Sequence, residues 1–161
     1  MIRRLEERDV EAVLELGSAM HAESVYAGCE FDLVKLAQLA DVILRGAPIG
    51  APEGLACFVA ESDHPDHHGQ LVGMFVATCQ PMWFGNDRIA GDLAFYVTPA
   101  RRGGAAALLL VKQFEAWARG PAEARWLAPG ISTRVDVERT REFFHRLGYR
   151  PWGERFLKEI L

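Results

Sequence analysis

Gly91–Gly120 reads GDLAFYVTPARRGGAAALLLVKQFEAWARG, and its three parts decide the fold. Leu93, Ala94, Phe95, Tyr96 and Val97 are mostly apolar and rich in aromatic or β-branched side chains, which predicts a strand buried on both faces. Thr98-Pro99 ends it, because proline cannot donate to a sheet ladder and holds its predecessor extended. Leu110, Val111, Phe114, Trp117 and Ala118 then recur at the three-to-four spacing of an apolar helix face. Gly120-Pro121 stops that helix. Between strand and helix lies Arg101-Arg102-Gly103-Gly104-Ala105-Ala106. Small residues let the backbone approach a ligand there, unpaired amides at the helix start point at it, and two arginines add positive charge. The turn therefore predicts an anion site. Its spacing is not that of a Walker loop, and it lacks the three glycines of a dinucleotide fingerprint.

Working outward, Met1–Leu5 reads as a short first strand, and Asp9 is placed to cap a helix through Val10, Val13, Leu14 and Gly17 toward Glu23. Asp32 caps a second helix carrying Leu33, Leu36, Ala37, Ala40, Ile43 and Leu44 at helical spacing. The glycines and prolines of residues 46–54 predict a loop. Leu55–Glu61 and Leu71–Cys79 read as antiparallel strands joined by a polar turn, and Pro81–Gly85 as the connection to the central strand. Ala124–Ala128 predicts a short strand, and Asp136 or Val137 starts a last helix closed by Leu147-Gly148. Tyr149–Trp152 and Arg155–Ile160 are expected to be extended. The resulting class is mixed α/β: a mostly antiparallel sheet, a parallel crossover after the central strand, and helices on both faces.

Composition narrows the function. With 161 residues, half of them apolar, the chain predicts one soluble domain spanning residues 1–161. Its net charge of −4 argues against nucleic acid as the main partner, and no apolar run approaches the roughly 18 residues of a membrane span. The charged start MIRRLEERDV lacks the apolar segment of a signal peptide. Cys29, Cys57 and Cys79 are odd in number and widely spaced, so reduced thiols in a cytoplasmic protein are expected.

The turn fits Arg/Gln-x-x-Gly-x-Gly/Ala through Arg101, Gly104 and Ala106, after a strand ending Tyr-Val-x-Pro. Together these resemble the acyl-CoA-binding core of the GNAT N-acetyltransferases. A second match in the correct order, Phe143-Phe144-x-x-Leu147-Gly148-Tyr149, is similar to the family's Phe-Tyr-x-x-Leu-Gly-Phe helix end. The resemblance spans nearly the whole chain. It implies acetyl-CoA as co-substrate, with its pyrophosphate on the turn amides of Arg102 to Ala106 and its pantetheine arm paired like an added strand with the backbone of Phe95, Tyr96 and Val97. It also implies that a primary amine, on a small molecule or a protein, attacks the thioester directly, so no cysteine needs a catalytic role.

In many members a glutamate on the central strand takes the amine's proton, and that register falls here on Asp92, with a relaying water to make up for the shorter side chain. Glu23 and His21 are further candidates, since the loop after the first helix lines the acceptor cleft in the family. The chain departs from the family where a tyrosine usually protonates the leaving thiolate: the position holds Phe144. The usual asparagine earlier in that segment falls near Val137. Either Tyr96, Tyr149, His145 or water serves as donor, or the thiolate leaves unassisted. His64, His67 and His68 form a metal-like cluster that reads more simply as a polar turn. Trp83-Phe84 either packs in the core or walls the acceptor site. Arg134, Arg139 and Arg141 read as a solvated face.

Two rival readings stay open. One is a non-catalytic CoA-binding or protein-interaction module on the same fold, favoured by Phe144. The other is a hydrolase or nucleotide-binding protein, disfavoured by the absence of a nucleophile–base motif and of a turn lysine. The identity of the amine is not encoded in any motif, and a homodimer through the apolar final strand is an expectation only.

Overall fold

The computed structural model describes residues 1–131, 133–153, 157, 158 and 160. In chain order the elements are β1 (Ile2–Arg4), α1 (Val10–Glu23), α2 (Leu33–Arg45), β2 (Leu55–Glu61), β3 (Leu71–Pro81), β4 (Arg88–Val97), α3 (Ala105–Arg119), β5 (Ala124–Leu127) and α4 (Val137–Arg146). The sheet runs β1-β2-β3-β4-β5, with antiparallel neighbours except for the parallel pair β4–β5. Mixed α/β with a mostly antiparallel sheet is therefore the observed class.

Alternation along β2 and β3 sends side chains to two cores. On one face Phe58 and Phe75 meet Phe114 and Trp117 of α3, with the Phe75 and Phe114 rings stacked at 4.5 Å. On the other, Val59 and Met74 meet Leu16 of α1 and Ala40 of α2. Burial on this scale, about 1.5–3 kcal/mol for each large apolar side chain, clamps the helices to both faces. Asp32 caps α2 as expected, accepting the Lys35 amide at 3.0 Å.

Asp9 behaves differently. A 3-10 turn at Glu7–Asp9 precedes α1, and the Asp9 carboxylate turns away from that helix. It accepts the Glu6 amide at 2.8 Å and two bonds from the Arg3 guanidinium at 2.5 and 2.8 Å. Arg3 also donates to Glu61 at 2.5 and 2.8 Å. Hydrogen bonds from Arg3 hold Asp9 below the usual carboxylate range, and Asp9 in turn raises the already high Arg3 value.

The central strand is longer than its apolar run. β3 continues to Pro81, and a tight hairpin returns the chain at Arg88, five residues before Leu93. The Arg88 guanidinium accounts for this start by donating to the carbonyls of Ala122, Glu53 and Cys79 at 2.8, 2.9 and 3.1 Å. Nor is the strand buried on both faces, since Leu93 is 52% exposed. It is the extra residue of a bulge: Val76 pairs with Ala94 and the next residue, Ala77, with Asp92. Asp92 and Phe95, an odd number of residues apart, consequently share the face toward α3.

Tyr149–Trp152 forms no strand, and Arg155–Ile160 lies partly outside the described residues. Among the described residues β5 is thus an edge. The His64–His68 segment contains a 3-10 turn, with His64 accepting the Asp66 amide at 3.3 Å, and no group of described residues is arranged to hold a metal ion. Cys29, Cys57 and Cys79 are all unpaired, and burial pushes the Cys57 thiol up to about 12. No described helix is long and apolar enough to cross a membrane.

Candidate active site

β4 and β5 run together only briefly. Their parallel pairing covers Arg88–Ala90 and Ala124–Leu127, and Ala128 adds a last bond to the Ala90 carbonyl at 2.7 Å. Gly91 permits this contact, because a Cβ there would stand 3.0 Å from the Ala128 carbonyl oxygen. Beyond it the strands part. Asp92 sits at the fork and takes the next rung with its side chain, Oδ1 accepting the Gly130 amide at 2.6 Å. The opening is a cleft of about 480 Å³. β4 from Asp92 to Val97 forms its floor, Gly103, Gly104 and Ala107 its far end, and Gly130, Ile131, Thr133, Val135, Asp136 and α4 its wall.

The turn has the features of an anion site. Gly103 has φ +87°, which calls for glycine, and its missing Cβ leaves room for Arg139 Nη2, 2.6 Å from where that Cβ would stand. Gly104 is the N-cap of α3 and brings no capping side chain. No side chain therefore caps the first-turn amides, and the helix end carries roughly half a positive charge next to the cleft-lining Gly103 and Gly104. The cation beside them is Arg139 of α4, which the sequence treated as part of a solvated face. Arg139, Phe143 and Arg146 all line the cleft at helical spacing.

Arg102 lines the cleft, but its guanidinium is committed elsewhere. Nε donates to the Val97 carbonyl at 3.0 Å, and Nη2 to both oxygens of Glu23 at 2.7 and 2.9 Å. Its guanidinium carbon lies 5.5 Å from the Tyr96 ring centroid, and Nη1 is 3.9 Å from Asp136. Arg101, Ala105 and Ala106 are not among the lining residues. Here the turn's contribution is its backbone.

The proton-handling candidates separate clearly. Burial alone would raise the Glu23 pKa, but hydrogen bonds from Tyr96 (2.5 Å) and Arg102 outweigh it and leave the carboxylate below its usual range. An ionised, fully engaged carboxylate is a poor base. Burial and the same bond push Tyr96 up to about 12, so it holds its proton. Tyr149 donates to Glu115 on α3 at 2.9 Å and does not line the cleft. His145 and His21 are also outside the lining; His21 Nε2 is buried with no hydrogen-bond partner among the described residues, its ring 5.0 Å from Phe31. Phe144 is 7% exposed and packed against Phe95, Phe143 and Tyr149. Thr140, one helical turn earlier, brings the hydroxyl from α4 that lines the cleft. Asp92 is the sequence-chosen carboxylate that lines it. Trp83 and Phe84 are 94% and 69% exposed and neither packs in the core nor lines this cleft.

The family model for the acetyltransferase (GNAT) family matches residues 10–149. The chain belongs to the GNAT family. Solved structures with this fold include a Trypanosoma brucei acetyltransferase, 22% identical with 99% of each chain covered and a TM-score of 0.70. The aminoglycoside acetyltransferase AAC(6')-Iy, in complex with a CoA bisubstrate analogue, is 16% identical with a TM-score of 0.75, covering 100% of this chain and 97% of its own. A ribosomal-protein-alanine N-acetyltransferase from Brucella melitensis is 18% identical, with 99% of each chain covered and a TM-score of 0.70. No curated protein sequence matches the chain. Within the GNAT fold, one cleft joins the forked β4–β5 pair to the uncapped α3 turn, with Asp92 at the fork.

Proposed function

We propose that the protein is a single-domain N-acetyltransferase, spanning residues 1–161, that moves an acetyl group from acetyl-CoA to a primary amine by direct attack. The observation that carries this reading is the open side of β4 leading to an uncapped helix N-terminus inside one cleft. An extended arm fits the strand edge by β-augmentation, and a pyrophosphate fits the turn amides of residues 102–106 beside Arg139. Phe95, Tyr96 and Val97 supply the strand backbone, although the Val97 carbonyl is already shared with Arg102. Acetyl-CoA supplies an activated thioester whose carbon–sulfur bond breaks as the amine nitrogen bonds to the acyl carbon.

Asp92 takes the proton the amine must lose, through a relaying water, while the Gly130 amide fixes the carboxylate's orientation. The leaving thiolate receives its proton from solvent, since a thiol pKa near 8.5 makes it a tolerable leaving group and Phe144 has no proton to give. Both acceptor kinds named for the similar structures, aminoglycoside and protein amine, suit this chemistry. The non-catalytic alternative rests on Phe144 alone, and thiol release in an amine screen excludes it. We place the protein in the cytoplasm, with no nucleic-acid or membrane partner. A homodimer through the final segment of the chain remains part of this proposal; among the described residues β5 is a further edge on which a second copy could pair.

Calorimetry tests the cofactor. The parent is expected to bind acetyl-CoA and CoA but not ATP, and Gly104→Glu to weaken that binding at least about 100-fold. The glutamate puts an anion where the pyrophosphate belongs, yet an acidic side chain at a helix N-terminus is itself favourable, so the fold survives. A well-folded parent that binds no CoA would overturn the reading.

A further inference from the structure

Arg102 joins parts of the cleft wall that are distant in sequence. Its Nε holds the last carbonyl of β4, Nη2 holds both oxygens of Glu23 at the end of α1, and Nη1 approaches Asp136 at the start of α4. Glu23 receives a further bond from the Tyr96 hydroxyl of β4, 73 residues away. Just beyond Glu23, the Val25 amide donates to the Thr133 carbonyl at 3.0 Å. The end of α1 and the 133–136 segment therefore form one rim. Arg102 is where that rim meets the α3 turn.

We propose that Arg102 is a positioning residue that couples occupation of the α3 turn to the α1 rim of the cleft through Glu23. The inference rests on the acetyltransferase reading and adds a role to the turn. Arg102 immediately precedes Gly103 and Gly104, so backbone adjustments at an occupied turn are carried directly to its guanidinium. In this structure Nη2 is on the Glu23 carboxylate, and the coupling requires that occupation of the turn shift the balance between this contact and its broken form. A contact whose making and breaking both sites bias is the physical basis that coupling needs. Lysine cannot replace it, since one ammonium on a flexible stem cannot hold Val97 and Glu23 in the fixed geometry of a planar guanidinium.

Hydrogen exchange with CoA as the probe tests the coupling without knowing the amine. In the parent protein CoA slows exchange at residues 101–107 and also at residues 20–27, the latter about fivefold or more. In Glu23→Gln and Arg102→Lys the protection at 20–27 falls to about the level without CoA, while in Glu23→Gln that at 101–107 persists. Far-ultraviolet circular dichroism and melting confirm that both variants fold. Unchanged remote protection in both variants overturns the proposal, as does a parent in which the turn alone responds. Loss of CoA binding in Arg102→Lys in proportion to its lost protection also overturns it, making Arg102 a phosphate ligand. Absence of CoA heat in the parent overturns the acetyltransferase reading itself, which calorimetry registers separately.

Discussion

Asp92→Asn lowers kcat by about 10²–10⁴-fold while leaving CoA affinity close to that of the parent. Asparagine keeps an oxygen where Oδ1 accepts the Gly130 amide, so the fork of the two strands retains its shape. What disappears is the capacity to take a proton from the incoming ammonium. The rate should then rise with pH only as the free amine does, without the ionisation contributed by the enzyme. Steady-state kinetics against pH, with an amine found by the acceptor screen, provides the measurement. An unchanged kcat would confine Asp92 to holding the 130 segment. Asp92→Ala, which also removes the acceptor for Gly130, should raise KM as well as lower kcat.

Arg3→Met costs about 3–5 kcal/mol of stability at pH 7, because it strands two nearly buried carboxylates. The side chains of Asp9 and Glu61 are only 7% and 12% exposed, and Arg3 pairs with both. The pH dependence has a definite sign. Asp9 is depressed in the folded state, so its stabilisation is fully present above the unfolded aspartate value of about 3.9 and is lost as pH falls through the lower folded value. Arg3 is raised, so its share persists below the unfolded value and would be lost only in strong alkali. Below about pH 4 the parent therefore loses stability, and the gap between parent and variant narrows. Urea denaturation at pH 7 and pH 3.5 measures both; a gap that stays constant would refute the assignment.

Local features of the chain foretold local structure well. The strand, turn and helix of Gly91–Gly120 each carry their own signals, and Asp32 announces α2 through a cap three residues from its donor. Arginine direction was not legible. Arg101, Arg102 and Arg139 are chemically identical in the sequence, yet Arg139 lies beside the turn while Arg102 is drawn to Glu23, 79 residues away. The beginning of β4 was hidden because Arg88, Gly91 and Asp92 look like turn residues, and the bulge at Leu93 breaks the alternation that would have revealed them. Arg3 meets Glu61 across 58 residues, a contact that no window of periodicity contains. Phe144 was recognisable by its motif; that it would be sealed by aromatic neighbours was not.

The parting of β4 from β5 carries a further consequence, for solubility. Unpaired strand backbone is ordinarily a template on which other chains aggregate, and proteins blunt it at the rim of a sheet. Here the open stretch lies inside the sheet, on the floor of the cleft beneath Gly130, Ile131, Thr133, Val135, Asp136 and α4. A foreign β-strand carries side chains on both faces and a sheet behind it, so it is too broad to enter. A slender, unbranched arm that brings its own amides can reach the floor. The cleft thus acts as a size filter, leaving the edge open to a small ligand and shielding it from self-association.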